Sequence, residues 1–449
     1  MSIVSTLPDE RSYILEARKG AIYFTNQDEK LPKKSDYKFA VFNYINCIVG
    51  SGVIGIPYAF REAGFGAGLV LLLGISFITD YSLKLMIECA HLTNAFTYQG
   101  IMEAAYGRKG FLFLSLLQFI YPFIAMVSYN IIVGDTLTKV MVRLFDVTAN
   151  SIFVRRDFVI GIATLFITSP LCLMKNLVGL ARASVLSFFL ILFIMATFFV
   201  RIGSMATIVP RSDDAFKFLD PKVFTAFGIM AFSFMCHHNV FLLYDSIENV
   251  NQKKWDRITM FSVSVSSMIL CLFGIAGYVT FTGFTQGDVF KNYCWDDDLI
   301  NFAGFAFSFT VLFAFPIECM TARSVITQLL GPINHELTVN EHVCVTLFLV
   351  LTTYLISITT SCLGAVLELN GIVSAIPLAF VLPALIYIKL IDGPFLSGRK
   401  LRAFGLAVFG VIVAIVGCFM LLTRWSKYAT CDQGREPFYC EASRNSDTT

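Results

Sequence analysis

Residues 43–57 read NYINCIVGSGVIGIP, a Gly-Ser-Gly triplet inside an apolar run that extends from Phe39 to Phe60. A run of that length can cross a hydrocarbon core, which takes about 20 apolar residues for about 30 Å. Gly50 and Gly52 are poor helix formers, and Pro57 ends or kinks a helix. A helix meant only to cross a membrane has no need of such a weak point. A helix that must expose backbone N–H and C=O groups to a ligand does need one. Gly50, Ser51 and Gly52 are therefore the first candidate binding residues. Together with Gly55 they also match G-x-G-x-x-G, but that nucleotide fingerprint requires a strand before it and a helix after it in a soluble βαβ unit. Inside an apolar span it is set aside. The competing reading is close helix packing through small residues.

The rest of the chain has the same character. It has 449 residues, 56% of them hydrophobic and 15% charged, with a mean hydropathy of +0.70. Soluble domains have roughly 45–50% apolar and about 25% charged residues. An all-α polytopic membrane protein is expected. The net charge of +2 and the absence of a basic block exclude a nucleic-acid partner. Eleven apolar segments are long enough to span, near 38–62, 66–90, 112–142, 157–174, 179–201, 222–246, 257–282, 299–327, 341–361, 363–390 and 402–424. The polar residues 1–37 read as a flexible cytosolic tail, 38–424 as the helical domain, and 425–449 as a second tail on the opposite side. With the N-terminus in the cytosol, about 20 of the 34 Lys and Arg fall on the cytosolic side, as the positive-inside rule requires. Arg155, Arg156 and the loop from Gly203 to Asp220 run against the bias.

Of 12 cysteines, most lie within spans or near their cytosolic ends, where they read as small buried hydrophobes. Cys294, Cys431 and Cys440 fall on the expected outer side, where disulfides persist. Three cysteines leave one over, and the sequence does not choose the pair.

The sixth span, AFSFMCHHNVFLLYDSIENV, holds a second anomaly. His237, His238 and Asn239 are consecutive at mid-span, with Ser233 and Cys236 before them. Polar groups at membrane depth are costly and face a cavity or a partner. Three in a row cannot share one helical face, so an unwound stretch is expected here. In the eighth span, FAFSFTVLFAFPIECM, Ser308 and Thr310 offer hydroxyl oxygens and Pro316 bends the helix. The other reading of the hydroxyls is bonding back to their own helix. Asn46 is a further neutral oxygen donor, one turn before the triplet. Asp80, Asp135, Asp245, Glu318 and Glu368 are buried acids, read as caps or as partners for Lys84 or Lys139. Glu368 is the gating or proton-linked candidate among them.

The two broken spans are the first and the sixth. Two five-helix repeats of inverted topology place breaks five spans apart. Freed N–H groups at the first break suit a carboxylate, and freed carbonyls at the sixth suit an ammonium. A free amino acid presents both at one end.

The stretches NxxxGSGxxGxPYAFREAGF, AFSFMCHHNVFLLYDSI, GYVTFTGFTQGDVFKNYCWDDDL and LELNGIVSAIPLAFVLPA resemble the amino acid/auxin permease family, and within it the sodium-coupled neutral amino acid transporters. The resemblance covers the chain after residue 37. It implies a LeuT-like fold of the APC superfamily with eleven helices in a 5+5 inverted repeat, working by alternating access. It implies sodium-driven uptake of small neutral amino acids by a monomer, with no cofactor beyond the coupling ion. The implied sodium set is Asn46, Ile48, Ser308 and Thr310. The implied substrate set is Gly50, Ser51, Gly52, Ser233, Cys236, His237 and Asn239, with Glu368 and His238 for gating or protons. Two family features are missing: a cysteine in the loop from Gly203 to Asp220, and a histidine near the C-terminus. The plasma membrane is expected, an endolysosomal membrane being the alternative. Proton coupling, an amino-acid sensor with little flux, and a membrane-embedded enzyme using the two histidines are the competing functions. No nucleophile or metal-ligand spacing beyond Cys236 supports the last.

Overall fold

The computed structural model describes residues 37–145, 151–174, 178–330, 337–395, 397–428 and 436–441. The helices in chain order are α1 Tyr37–Ile48, α2 Ile56–Ala63, α3 Phe65–Thr93, α4 Tyr98–Phe145, α5 Arg156–Ala163, α6 Ser169–Leu173, α7 Val178–Ala206, α8 Val223–Ser233, α9 Val240–Asp245, α10 Gln252–Phe281, α11 Asp298–Leu330, α12 Val339–Thr359, α13 Leu363–Asn370, α14 Leu382–Leu390 and α15 Gly398–Tyr428. Short 3-10 or π turns join α1 to α2, α5 to α6, α8 to α9 and α13 to α14. Among the described residues, ten helical segments are long and apolar enough to cross a membrane, and the pair Ala40–Ile48 and Ser51–Ala63, bent by 41°, makes an eleventh if it is one span.

The stretch Tyr98–Phe145 is two helices that meet at Gly107, whose non-helical φ of 64° and ψ of −163° are open to glycine, so a short arm from Tyr98 precedes the third span, which begins after Gly107 and near the expected residue 112. The adjacent charges Arg108 and Lys109 sit at this corner between two helical arms, and the Arg108 guanidinium lies 4.3 Å from the Phe111 ring. The helix breaks beside these charges.

Burial sorts the spans into two rings. Within the apolar windows, 72% of residues are buried in Val223–Asp245 and in Leu363–Leu390, against 22% in Val185–Met205 and 33% in Gly398–Arg424. The outer spans turn side chains such as Phe189 and Phe419 outward, as a lipid-facing surface requires. The inner ring contains both breaks. It is drawn close by small residues: a side chain at Gly371 would run into the Gly228 backbone. There the tenth span opens into π turns, Gly371–Ala375 and Pro377–Val381, which absorb the missing N–H of Pro377.

One end of the molecule is clamped by the segment between α10 and α11. Lys139 of α4 donates to the carbonyls of Phe290 (2.8 Å) and Tyr293 (3.1 Å). Asp135, one turn earlier, pairs with Arg156 at 2.7 Å and with Lys291 at 2.8 Å. Asp135 therefore serves Arg156 and Lys291, while Lys139 is held by carbonyls. Lys291 and Arg156 also donate to the carbonyls of Ser361 and Ser357 (both 3.1 Å). A disulfide joins Cys294 to Cys440, which settles the pairing that the sequence left open. Cys431 lies outside the described residues. The Tyr439 hydroxyl donates to the Asn292 carbonyl (2.5 Å), and Glu436 accepts from the Trp295 N–H (3.0 Å), so residues 436–441 strap this segment.

Candidate functional site

Gly50 leaves the helical region, with φ −105° and ψ −147°, and a 3-10 turn over Ser51–Gly55 begins after it. No side chain caps that turn. The N–H groups that open it, those of Ser51 and Gly52, have no intrahelical partner. Pro57 sits in the first turn of α2, where a missing N–H does no harm.

The sixth span breaks differently. α8 closes with Phe234 N–H to Met230 O (3.0 Å) and Met235 N–H to Phe232 O (3.1 Å). The ladder resumes at Asn239 N–H to Cys236 O (3.0 Å). Among the described residues, the carbonyls of Ser233, Phe234 and Met235 receive no backbone bond across the gap. The consecutive polar residues are thus held off one helical ladder, as their spacing required.

The two breaks meet. The Ser233 hydroxyl lies within donor distance of Gly52 O (3.0 Å) and of Ile229 O (2.9 Å). A Cβ at Gly52 would come within 2.8 Å of the Ser233 Cα. Gly52 therefore provides close approach as well as a free N–H, and the packing reading of this glycine holds beside the binding one. At Gly50, by contrast, a Cβ would meet nothing within 4 Å. Asn239 Nδ2 reaches Cys47 Sγ (3.5 Å), a second tie between the spans.

Between the breaks lies a cavity of about 50 Å³, counted as room for the centres of water molecules. The first span contributes Cys47, Ile48, Gly50, Ser51 and Gly52, and the sixth contributes Phe232, Ser233, Met235, His238 and Asn239. Tyr121 and Tyr129 of α4 and Glu318 of α11 close it. The polar lining combines backbone donors and acceptors with the Glu318 acid, the His238 imidazole, the Asn239 amide and the hydroxyl-bearing residues Ser51, Ser233, Tyr121 and Tyr129. Glu318 Oε1 stands 3.9 Å from His238 Nε2. His238 Nε2 is also 2.9 Å from Asn239 Nδ2, and the His238 ring centre is 5.1 Å from that of Tyr121.

The expected site residues divide. Ile48, Gly50, Ser51, Gly52, Ser233, His238 and Asn239 line the cavity; Asn46, Cys236, His237, Ser308, Thr310 and Glu368 do not. Cys236 turns its thiol to the Tyr44 hydroxyl (3.5 Å). His237 is wholly buried, and neither ring nitrogen has a hydrogen-bond partner. Ser308 bonds to Thr136 and to Gly304 O, and Thr310 bonds back to Ala306 O (3.1 Å). Glu368 is wholly buried in α13. The sequence reading had not placed Tyr121, Tyr129, Phe232, Met235 or Cys47 at the site, and it had left the role of Glu318 open. An acid within an otherwise apolar stretch, one turn of helix past the middle of the span, was the one signal for Glu318.

Comparison with known proteins shows the family and the fold. A family described as "Transmembrane amino acid transporter protein" matches residues 33–423. A Danio rerio protein named "Putative sodium-coupled neutral amino acid transporter 11" is 41% identical over 414 residues, 92% of this chain and 92% of that protein. The Homo sapiens protein of the same name is 40% identical over 380 residues, 85% of this chain and 92% of that one. A more distant relative, "Vacuolar amino acid transporter 2" of Saccharomyces cerevisiae, is 30% identical over 400 residues, covering 86% and 82% of the two chains. Among solved structures, the crystal structure of an Eremococcus coleocola manganese transporter bound to an aromatic bis-isothiourea substituted compound superposes with a TM-score of 0.53 at 11% identity, covering 100% of this chain and 94% of that one. At such low identity the likeness shows the fold alone, and that fold is LeuT-like.

Proposed function

The chain belongs to the transmembrane amino acid transporter family, and from that premise we propose that it moves small neutral amino acids by alternating access, driven by sodium. One observation carries the substrate reading. Two broken spans touch at Gly52 and Ser233, and they offer free N–H groups on one side and free carbonyls on the other of a single cavity. The N–H groups at the start of a helical turn attract an anion. Unbonded carbonyls suit an ammonium. A zwitterionic α-amino acid matches both sides of this lining.

The sodium reading is supported by the printed names of the relatives. Its candidate oxygen donors are Asn46, Ser308, Thr310 and the carbonyl of the cavity-lining Ile48, which also accepts from the Gly50 N–H (2.9 Å). Ser308 and Thr310 bond within or between helices in the described conformation, so their recruitment belongs to another state of the cycle. We further propose a monomer with a cytosolic N-terminus. The strapped segment and its disulfide then lie outside the cell or in an organelle lumen, where a disulfide persists. The plasma membrane is the proposed site, and the name of the yeast relative keeps an endolysosomal membrane as the second reading.

Purified protein in proteoliposomes, loaded with labelled alanine, serine or glutamine outside, tests this. Uptake should collapse when sodium is replaced by choline. Undiminished uptake in choline would sink sodium coupling, and no uptake or exchange of any amino acid would sink the transport reading.

A further inference from the structure

The two ends of this molecule treat their cations differently. At the clamped end, Arg143, Arg155, Arg156, Arg201, Lys291 and Arg424 each reach a carboxylate at 2.9 Å or less. Arg155 and Arg156, which run against the charge bias of the sequence, are thereby neutralised. At the opposite end, among the described residues, the exposed Arg108, Lys109, Lys389, Arg399 and Arg402 form no ion pair.

These five gather at the end of the tenth span. Lys389 lies in the last turn of α14. The Tyr106 hydroxyl donates to the Leu385 carbonyl (3.0 Å), one turn before Lys389, and Arg108 and Lys109 follow directly after that arm. Arg399 lies within electrostatic reach of the Tyr387 hydroxyl, and Arg402 of the Tyr81 hydroxyl. Three residues apart on α15, Arg399 and Arg402 share a face. Lys400 between them is buried and donates to the Gly393 carbonyl (3.0 Å). The acids of the same region do not cancel this charge: Glu88 accepts from the Tyr387 hydroxyl (3.3 Å), and only Glu103 and Asp392 are exposed beside it.

An apolar surface adjoins the cations. Phe395 and Phe404 are 49% and 41% exposed and meet edge to face at 5.2 Å. Beyond Phe404 the same helix turns Val408, Val411 and Ile415 outward. Exposed aromatic rings at the end of a span mark the level where headgroups meet hydrocarbon. A soluble anion would use the cations and leave the rings in water. A lipid uses both, its headgroup meeting the cations and the top of its chains meeting the rings.

We propose that this corner binds a phospholipid whose headgroup carries more than one negative charge, of the phosphatidylinositol phosphate class. Clusters of about 4–8 Lys and Arg beside a span attract such lipids, and the arginine fork matches phosphate oxygens. The bound lipid bridges Lys389, on a span of the inner ring, to Arg399 and Arg402, on a span of the outer one. The site stands independently of the transport reading and of which face is cytosolic.

The test uses the purified full chain in neutral detergent. Dioctanoyl phosphatidylinositol monophosphate is titrated in, and bound lipid is counted by native mass spectrometry. Dioctanoyl phosphatidylcholine and free inositol bisphosphate are the reference ligands. The wild type should prefer the phosphoinositide to either reference by about ten-fold or more. The double variant Arg399→Gln, Arg402→Gln should lose about ten-fold in affinity, and Lys389→Gln a smaller factor. These side chains are exposed, so each variant should melt within about 2 degrees of wild type. Arg211→Gln with Lys222→Gln removes two exposed cations at the clamped end and should bind like wild type. Undiminished binding in the Arg399, Arg402 variant would overturn the proposal. So would an equal loss in the clamped-end variant, which would mean diffuse charge, or equal affinity for free inositol bisphosphate, which would mean an anion site without a lipid.

Discussion

The cavity and the clamped end of this molecule differ in how their charged groups are held, although each keeps buried polar atoms without a hydrogen-bond partner: Arg156 Nη2, Asp288 Oδ2 and Trp295 Nε1 at the clamp, Glu318 Oε2 at the cavity. At the clamp, Asp135, Arg156, Lys291 and Lys139 each close on a named partner, and the disulfide Cys294–Cys440 ties the strap down. At the cavity, among the described residues, the N–H groups of Ser51 and Gly52, the carbonyls of Ser233, Phe234 and Met235, and Glu318 Oε2 have no hydrogen-bond partner across the breaks. Buried polar groups are normally satisfied, and exceptions need a reason. A ligand that arrives and leaves is such a reason. The comparison separates residues that hold the fold from residues that wait for substrate, and it makes the two separable by experiment.

Asp135→Ala should give the largest stability effect. It leaves Arg156 and Lys291 without their shared counter-ion, and breaking a buried pair costs about 3–5 kcal/mol. The melting temperature in detergent should fall by many degrees, while substrate affinity in the protein that remains folded should stay near wild type. A fall in affinity with unchanged melting would erase the distinction between clamp and cavity.

Gly52→Val tests the place where the two rules overlap. Its Cβ would press on the Ser233 backbone, and overpacking costs about 1–3 kcal/mol, so both stability and transport should be lost. Gly50→Ala has open space. It should melt within about 2 degrees of wild type, by the smallness of unstrained surface changes, while weakening substrate binding. Equal melting losses in the two variants would mean that the triplet is packing alone.

Asp288, at the clamp and outside the spans, sharpens the comparison by pH. Burial, reinforced by Asp135, pushes its carboxyl from 3.8 up to about 6. The folded chain thus holds this proton more tightly than the unfolded one. Stability is fully present below the unfolded value, falls as pH rises, and the whole penalty is in place above about 6. Asn keeps an oxygen for the Phe290 N–H, which Asp288 accepts at 2.9 Å. Asp288→Asn should therefore raise the unfolding free energy at pH 7.5 by on the order of 1–3 kcal/mol, read as a higher melting temperature, and give no gain near pH 4. A gain that does not vary with pH would contradict this.

Ser233→Ala carries the smallest effect. It removes one hydroxyl between the breaks, a contribution of about 0.5–1.5 kcal/mol. Substrate KM should rise by about 2–10-fold with melting little changed. A wild-type KM would show that the contact between the breaks does not shape the site.

The same division explains what the sequence made legible. Gly50–Gly52 and Cys236–Asn239 stand out because glycine and consecutive polar residues are anomalies in apolar runs, and both breaks follow from that. Span positions follow from hydropathy, and the break beside Arg108 and Lys109 agrees with their reading as a loop; the short helical arm from Tyr98 to Gly107 escaped, because it is too short to register as a span. Glu318 could not be assigned, since a buried acid reads alike as a cap, a pair or a cavity group until tertiary packing chooses. Tyr121 and Tyr129 are lost among 45 Phe and 17 Tyr. Ser308 and Thr310 carry the right atoms, but their own helix carbonyls compete for them. The pairing of Cys294 with Cys440 depends on where the strap returns, 146 residues later.

The central claim is that the first break holds the carboxylate and the sixth holds the ammonium of one amino acid. Competition against labelled alanine binding to the purified protein tests it directly, using alanine methyl ester and N-acetylalanine as competitors. The account predicts that alanine competes while both blocked forms fail, even at a hundred-fold excess over about the alanine Kd, since each loses contacts worth several kcal/mol. Competition by the methyl ester as strong as that of alanine itself would contradict it.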